Sequence, residues 1–313
     1  MPGTVPRRSR APTPRAAGYL PPAMPAAPRP DQIGTLLVSC PDRRGIVAAL
    51  AQLLYGHGAN ILDADQHTDP EAGMFFQRIR FDASELHTDR AALTAAIREV
   101  AERFSMSWRL AWADRPRRMA IFVSRYDHCL YDLLLRQRAG ELACEIPLIV
   151  SNHPDLEPIA DQFGIPFEVY PITPATKRAQ EQREMARLEA LGVELVVLAR
   201  YMQVLSREFT DAWPARIINI HHSFLPAFVG SKPYHQAHAR GVKLIGATAH
   251  YATPDLDEGP IIAQDVARCS HRDSVADLIR KGRDLEKLVL ARAVRAHLDD
   301  RVLVYGNKTV VFD

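Results

Sequence analysis

Residues 215–222 read Ala-Arg-Ile-Ile-Asn-Ile-His-His, and 36 residues beyond His221 comes Asp257 in the stretch Leu-Asp-Glu-Gly-Pro. The run Ile217–His221 is apolar apart from Asn219 and His221. Side chains two apart on a strand share a face, so the amide and the imidazole leave this strand together, aimed at one point. Runs of the same apolar character occur at 119–123, 146–150 and 195–199, with a shorter one at 167–170. Between them, helical spacing recurs near 128–138, 156–163, 175–191 and 206–213. Apolar strands alternating with helices predict a mostly parallel α/β sheet covered on both faces. Ligands of such sheets sit beyond the carboxyl ends of the strands, which is where Asn219 and His221 fall. An amide donor, a proton-carrying imidazole and a carboxylate from a later loop are the groups that transfer of a carbonyl group requires.

Upstream, the rhythm differs. Residues 33–39 read as a strand, and Ile46, Val47, Leu50, Leu53 and Leu54 form one helical face. Strands are expected at 59–68 and Met74–Asp82, and Asp89 caps a helix with Leu93, Ile97, Val100 and Phe104 inward. Residues 107–113 close a β-α-β-β-α-β unit of ferredoxin-like order. The charged, proline-containing stretch 114–118 reads as a linker. The expected organisation is a tail at 1–30, a first domain at 31–113, the linker, and a second domain at 119–313. The last part carries a long helix from Asp273, with Val275, Leu278, Ile279, Leu285, Leu288 and Val289 on one face, and a terminal hairpin over 302–312.

The 313-residue chain is long enough for two domains. Residues 1–30 hold nine of its 23 prolines and five arginines but no acid, which predicts a disordered tail. The remainder carries 34 basic against 37 acidic residues and gives no reason to expect nucleic acid. Four cysteines without metal spacing read as reduced, in a cytoplasmic protein. No apolar run reaches the roughly 20 residues of a membrane span.

Two stretches carry a family resemblance. Residues 34–62 resemble the opening of an ACT domain, a regulatory module that senses small molecules. Residues 119–313 resemble the folate-dependent formyltransferase fold. Within that fold, HCLYDLL (128–134), NIHHSFLPAFVGSKPYHQAH (219–238) and IGATAHYATPDLDEGPIIAQDV (245–266) are similar to the formyltetrahydrofolate deformylases. The resemblance implies hydrolysis of 10-formyltetrahydrofolate to formate and tetrahydrofolate, with water as acceptor and no cofactor or metal. It places Asn219, His221 and Asp257 at the catalytic positions. Asn219 would donate to the formyl oxygen, His221 would pass a proton to N10, and Asp257 would deprotonate the water and orient His221. It places Tyr201, Met202, Gln203, Val204 and Leu205 along one edge of the pterin, with Ala252, Thr253 and Pro254 closing over the other. Where the transferases hold a phosphate on a glycine-rich loop, this chain has Ser124-Arg125-Tyr126-Asp127-His128-Cys129, without a glycine. That points to hydrolase over transferase.

His250 reads either as a second proton carrier or as a core residue beside the site. Asp127, His128 and Cys129 read as cap and core. His235 and His238 are expected on a loop over the site. The ACT resemblance places Asp42, Gly45, Gly58 and Asn60 where an amino-acid effector, glycine or methionine, would bind between paired domains, and implies a homo-oligomer, a dimer or tetramer. A formyltransferase to an amine and a non-catalytic amino-acid or folate sensor remain the alternatives.

Overall fold

The computed structural model describes residues 29–227 and 233–312; the proline-rich segment 1–28, expected as a disordered tail, lies outside the described residues. The N-terminal unit comprises β1 (Ile33–Pro41), α1 (Ile46–Gly56), β2 (Asn60–Asp69), β3 (Met74–Asp82), α2 (Arg90–Phe104) and β4 (Ser107–Trp112). Its antiparallel sheet has the order β2-β3-β1-β4. The Asp89 carboxylate accepts from the Ala92 N–H and starts α2 as expected. Leu50 and Leu54 of α1 and Leu93 and Ile97 of α2 pack on Leu36, Val38, Ile79 and Phe81 of the sheet. Gly34 is required there, because a Cβ would lie 2.3 Å from the Phe81 ring.

The second sheet is built from β5 (Arg117–Val123), β6 (Cys144–Ser151), β7 (Phe167–Val169), β8 (Leu195–Leu198), β9 (Ile217–His221), β10 (Leu244–Tyr251) and β11 (Ile261–Arg268). Its order is β11-β10-β9-β8-β5-β6-β7. Strands β5 to β9 run parallel, β10 runs antiparallel to β9, and β11 turns back antiparallel to β10. The helices are α3 (His128–Arg138), α4 (Glu157–Phe163), α5 (Lys177–Ala190), α6 (Arg207–Ala212), α7 (Pro233–Arg240) and α8 (Val275–Leu298). From β5 the chain winds outward through β6 and β7, then returns through β8 to the opposite side. The crevice between β5 and β8 is therefore the topological switch point, where ligands of such sheets bind.

Several boundaries differ from the sequence reading. β5 begins at Arg117, inside the stretch expected as linker. The Leu288 side chain, expected inward, is 42% exposed. The inner face of α8 runs instead through Leu278, Gly282, Leu285, Glu286 and Val289. The hairpin β12 (Val302–Tyr305) and β13 (Lys308–Val311) forms a two-stranded sheet of its own beside β11, where Thr309 donates to the Ile261 carbonyl. With Phe312 it covers Leu37 and Phe76 on the free face of the first sheet. Arg78 of β3 reaches across the same junction to the carbonyls of Asp299 and Asp300, and Arg109 and Arg117 meet the Asp300 carboxylate.

Candidate active site

β9 presents its residues alternately. Ile218 and Ile220 enter the core on the α8 side, while Ile217 packs into the core on the opposite face of the sheet. Asn219 and His221, sharing the parity of Ile217, emerge at the strand's carboxyl end. Asp257 arrives from the loop after β10 in a left-handed conformation, φ +58°. Gly259 two residues later lets this loop lie flat on the strand, since a Cβ there would sit 1.8 Å from the Tyr251 carbonyl oxygen. Local sequence thus fixes the direction from which the carboxylate comes.

The three side chains converge. His221 Nδ1 lies 3.1 Å from Asp257 Oδ2. Asn219 Nδ2 lies 3.5 Å from Asp257 Oδ1 and 3.2 Å from His250 Nε2. His250 Nδ1 is 2.9 Å from the Tyr251 carbonyl oxygen, an acceptor, so Nδ1 carries the hydrogen and the neutral ring offers Nε2 to the Asn219 amide. His250 is thereby both a buried, hydrogen-bonded residue and a wall of the cavity. Burial works against charge on Asp257, but the hydrogen bond from His221 holds its carboxyl well below the usual carboxylate range. His221 is buried, and its Nε2 has no partner among the described residues. The carboxylate turns Nδ1–H toward itself and so fixes the orientation of the ring.

A cavity of about 630 Å³ opens over this group. Tyr201, Met202, Gln203, Val204, Leu205, Ala252 and Thr253 line it, as do Asn219, His221, His250 and Asp257. Pro254, expected among them, does not line it. The Met202 N–H donates to Ser124 Oγ at 2.9 Å, which pins the segment after β8 to the end of β5. His235 also lines the cavity, but from α7 rather than from a loop, and His238 on the same helix does not.

The sequence reading missed the polar wall of this cavity. His128 was expected as core or cap; its Nε2 lies instead 2.7 Å from Glu286 Oε2. Asp127 makes no side-chain cap hydrogen bond, whereas Cys129 is buried in the core as expected. Tyr234 donates to Glu286 Oε1 at 2.7 Å, and Arg200 Nε lies 3.4 Å from Glu286 Oε2. Burial opposes charge on Glu286, yet the His128 bond and Arg200 keep its carboxyl low. The signal available was one acid on the apolar face of α8, immediately after Leu285 and one turn beyond Gly282. His128, Cys129 and Glu286 have ligand atoms within 4.8 Å of one another. Both Glu286 oxygens are already taken, and burial pushes the Cys129 thiol well up.

Beneath Tyr201, α5 buries Glu181 and Glu184. Burial, then the Glu181 charge, pushes the Glu184 carboxyl up to about 8. The folded state therefore holds a proton that the unfolded state releases, and stability falls as pH rises between the two pKa values. Glu184→Gln should match the wild-type melting temperature near about pH 4.5 and exceed it by several degrees near about pH 8.5. Melting curves across that range check this; a constant difference would contradict it.

In the first domain, Asp42 and Gly45 lie at the start of α1, Gly45 with φ +93°, while Gly58 and Asn60 lie beyond its end. The eleven residues of α1 separate the two pairs by roughly 16 Å. One copy of the chain does not bring these four residues together.

Around this switch-point cavity, residues 117–294 match the family model described as formyl transferase, which sets the class of the second domain. Residues 34–98 match the ACT domain model. The formyltetrahydrofolate deformylase of Synechocystis sp. is 59% identical over 278 residues, covering 89% of this chain and 98% of that protein. That of Bacillus subtilis is 50% identical, covering 90% and 94%. The crystal structure of a formyltetrahydrofolate deformylase from Pseudomonas syringae pv. tomato is 48% identical and superposes with a TM-score of 0.87, covering 90% of this chain and 94% of that one. The chain belongs to the formyltetrahydrofolate deformylase family.

Proposed function

We propose that this protein hydrolyses 10-formyltetrahydrofolate to formate and tetrahydrofolate at the floor of the 630 Å³ cavity. The observation that carries the reading is the His221–Asp257 pair, which lies beside the Asn219 amide with all three residues lining that cavity. The pterin lies against residues 201–205, with Ala252 and Thr253 over its other edge. Water adds to the formyl carbon while its proton passes to His221 Nε2. The charge that develops on the formyl oxygen is met by the second hydrogen of Asn219 Nδ2, the first being held by His250. The C–N10 bond then breaks, N10 takes the proton from Nε2, and formate leaves. The resemblance assigns deprotonation of the water to Asp257; in this reading it passes to His221, because the carboxylate is engaged with His221 Nδ1 and the Asn219 amide. Every step is acid–base and hydrogen-bond chemistry supplied by side chains, with no cofactor required.

Glycine or methionine is the proposed effector of the ACT domain, in a homo-oligomer. The separation of Asp42 and Gly45 from Gly58 and Asn60 supports a ligand held between two copies. The cytoplasm is the proposed compartment, in keeping with four free cysteines and with no helix among the described residues long and apolar enough to cross a membrane. The direct test is formate release from purified protein and 10-formyltetrahydrofolate with no amine present. Equal amounts of formate and tetrahydrofolate are expected, at a rate altered by glycine or methionine. Folate binding without formate would overturn the hydrolase reading, and a rate indifferent to both amino acids would overturn the effector reading.

A further inference from the structure

The cavity has two unlike walls. Tyr201 and Leu205 belong to the core on one face of the sheet, whereas Tyr234 belongs to the core on the other, packed among α3 and α8. Folate is proposed against the first wall. The second lines the same cavity as Asn219, His221 and Asp257, and the chain fills it with its own charges. The Arg200 guanidinium lies 4.9 Å from the centre of the Tyr126 ring, and its Nε is 3.4 Å from Glu286 Oε2. Glu286 is 1% exposed and has both oxygens occupied, by His128 and Tyr234, so it cannot receive the polar groups of an incoming molecule. The cluster is built to close: a side chain at Gly282 would meet the Tyr234 hydroxyl at 2.0 Å, so the bare helix turn is what lets Tyr234 reach Glu286.

Arg200 stands out within this wall. It has φ +65°, in the left-handed region where glycine is the easy residue, and it is 8% exposed. Backbone strain and burial of a guanidinium are both accepted at one position, at the switch point, directly before the segment proposed to hold the pterin. Strain kept at a site points to a function for the side chain. We propose that Arg200, held by Glu286 and Tyr126, is the residue that determines the acceptor: it leaves room for water at the formyl carbon and excludes nucleophiles that carry a substituent.

The inference rests on the hydrolase reading above. When water attacks, its oxygen bonds to the formyl carbon, C–N10 breaks, N10 gains a proton and formate leaves. When an amine attacks, its nitrogen bonds to the same carbon, C–N10 breaks, the proton lost by the amine goes to N10, and an N-formyl product leaves. The two outcomes differ only in what fits beside Arg200.

The test is the partition of the formyl group between water and O-methylhydroxylamine, which is unprotonated near neutrality. Formate, N-formyl product and tetrahydrofolate are measured together, with the uncatalysed reaction subtracted. Wild type should give formate alone. Arg200→Gly, which suits the left-handed backbone, should raise the ratio of N-formyl product to formate by about tenfold or more, in the range that single pocket contacts discriminate. Tyr126→Ala, at a half-exposed ring, should shift the ratio in the same direction and serves if Arg200→Gly does not fold. A folded Arg200→Gly that partitions like wild type overturns the proposal, as does an unchanged ratio in Tyr126→Ala where that variant serves, or N-formyl product from wild type. If wild type releases neither formate nor tetrahydrofolate, the hydrolase reading itself has failed, a result distinct from all of these.

Discussion

Asp257→Ala should fold and lose hydrolysis by about 10⁴-fold in kcat, the scale seen when the acid of a histidine–acid pair is removed. Two effects act together. The carboxylate accepts from His221 Nδ1 at 3.1 Å, so its loss frees the ring to rotate and to exchange the tautomer that presents Nε2. It also removes the negative charge that stabilises the imidazolium formed when His221 takes the proton from water. Binding should change little, because the pterin wall at 201–205 is the segment that follows β8 and is anchored by Ser124. The loss is therefore expected in kcat with KM nearly constant, which assigns it to the transition state. Asp257→Asn is the sharper comparison. It keeps the shape and tolerates the left-handed φ of +58°, and its carbonyl oxygen can still accept from His221 Nδ1, but it lacks the negative charge that stabilises the imidazolium. Its kcat should fall almost as far as that of the alanine variant. Because Asp257 stays ionised far below neutrality, its protonation should set no limb of the pH–rate profile between about pH 5 and 9. Turnover within tenfold of wild type in either variant would remove Asp257 from the mechanism.

What was legible in the sequence is what local spacing encodes. The strand Ile217–His221 announces both the sheet and the paired polar side chains, because the two-residue period of a strand needs no tertiary information. The β-α-β-β-α-β order and the capped α2 are readable for the same reason. β10 and β11 carry no such signal. In β10, Gly246, Ala247 and Ala249 are small and only weakly strand-forming, and they become a strand because α8 and β9 bury them. The polar wall was illegible for another reason. Arg200, Glu286, His128 and Tyr234 come from four elements far apart in the chain, and each alone reads as a surface charge or a cap. Only the fold shows that Glu286 faces inward, and only the backbone angles show that Arg200 occupies a position suited to glycine. The chemistry-bearing pair was thus visible before the fold, while the residues proposed to select the acceptor became visible after it.

Asn219→Ala should lower kcat by about 10²–10³-fold, the usual consequence of losing one preorganised donor to a developing oxyanion. The amide nitrogen has two hydrogens. One is committed to His250 Nε2 at 3.2 Å, where the opposite ring nitrogen is fixed by the Tyr251 carbonyl. That commitment orients the amide plane, and the second hydrogen, which makes only a long 3.5 Å contact with Asp257 Oδ1, turns to the formyl oxygen when charge develops there. Truncation removes this donor and also leaves the Nε2 of a 2% exposed histidine without its partner. A stability loss of about 1–3 kcal/mol should accompany the kinetic one. The two effects separate in Asn219→Asp, which keeps the size of the side chain, cannot donate when ionised, and brings a second negative charge to the position now 3.5 Å from Asp257. Its kcat should be no higher than that of Asn219→Ala, whatever its melting temperature. If Asn219→Ala is destabilised yet turns over within about threefold of wild type, its amide serves only to hold His250, and the oxyanion must be met by His221 alone.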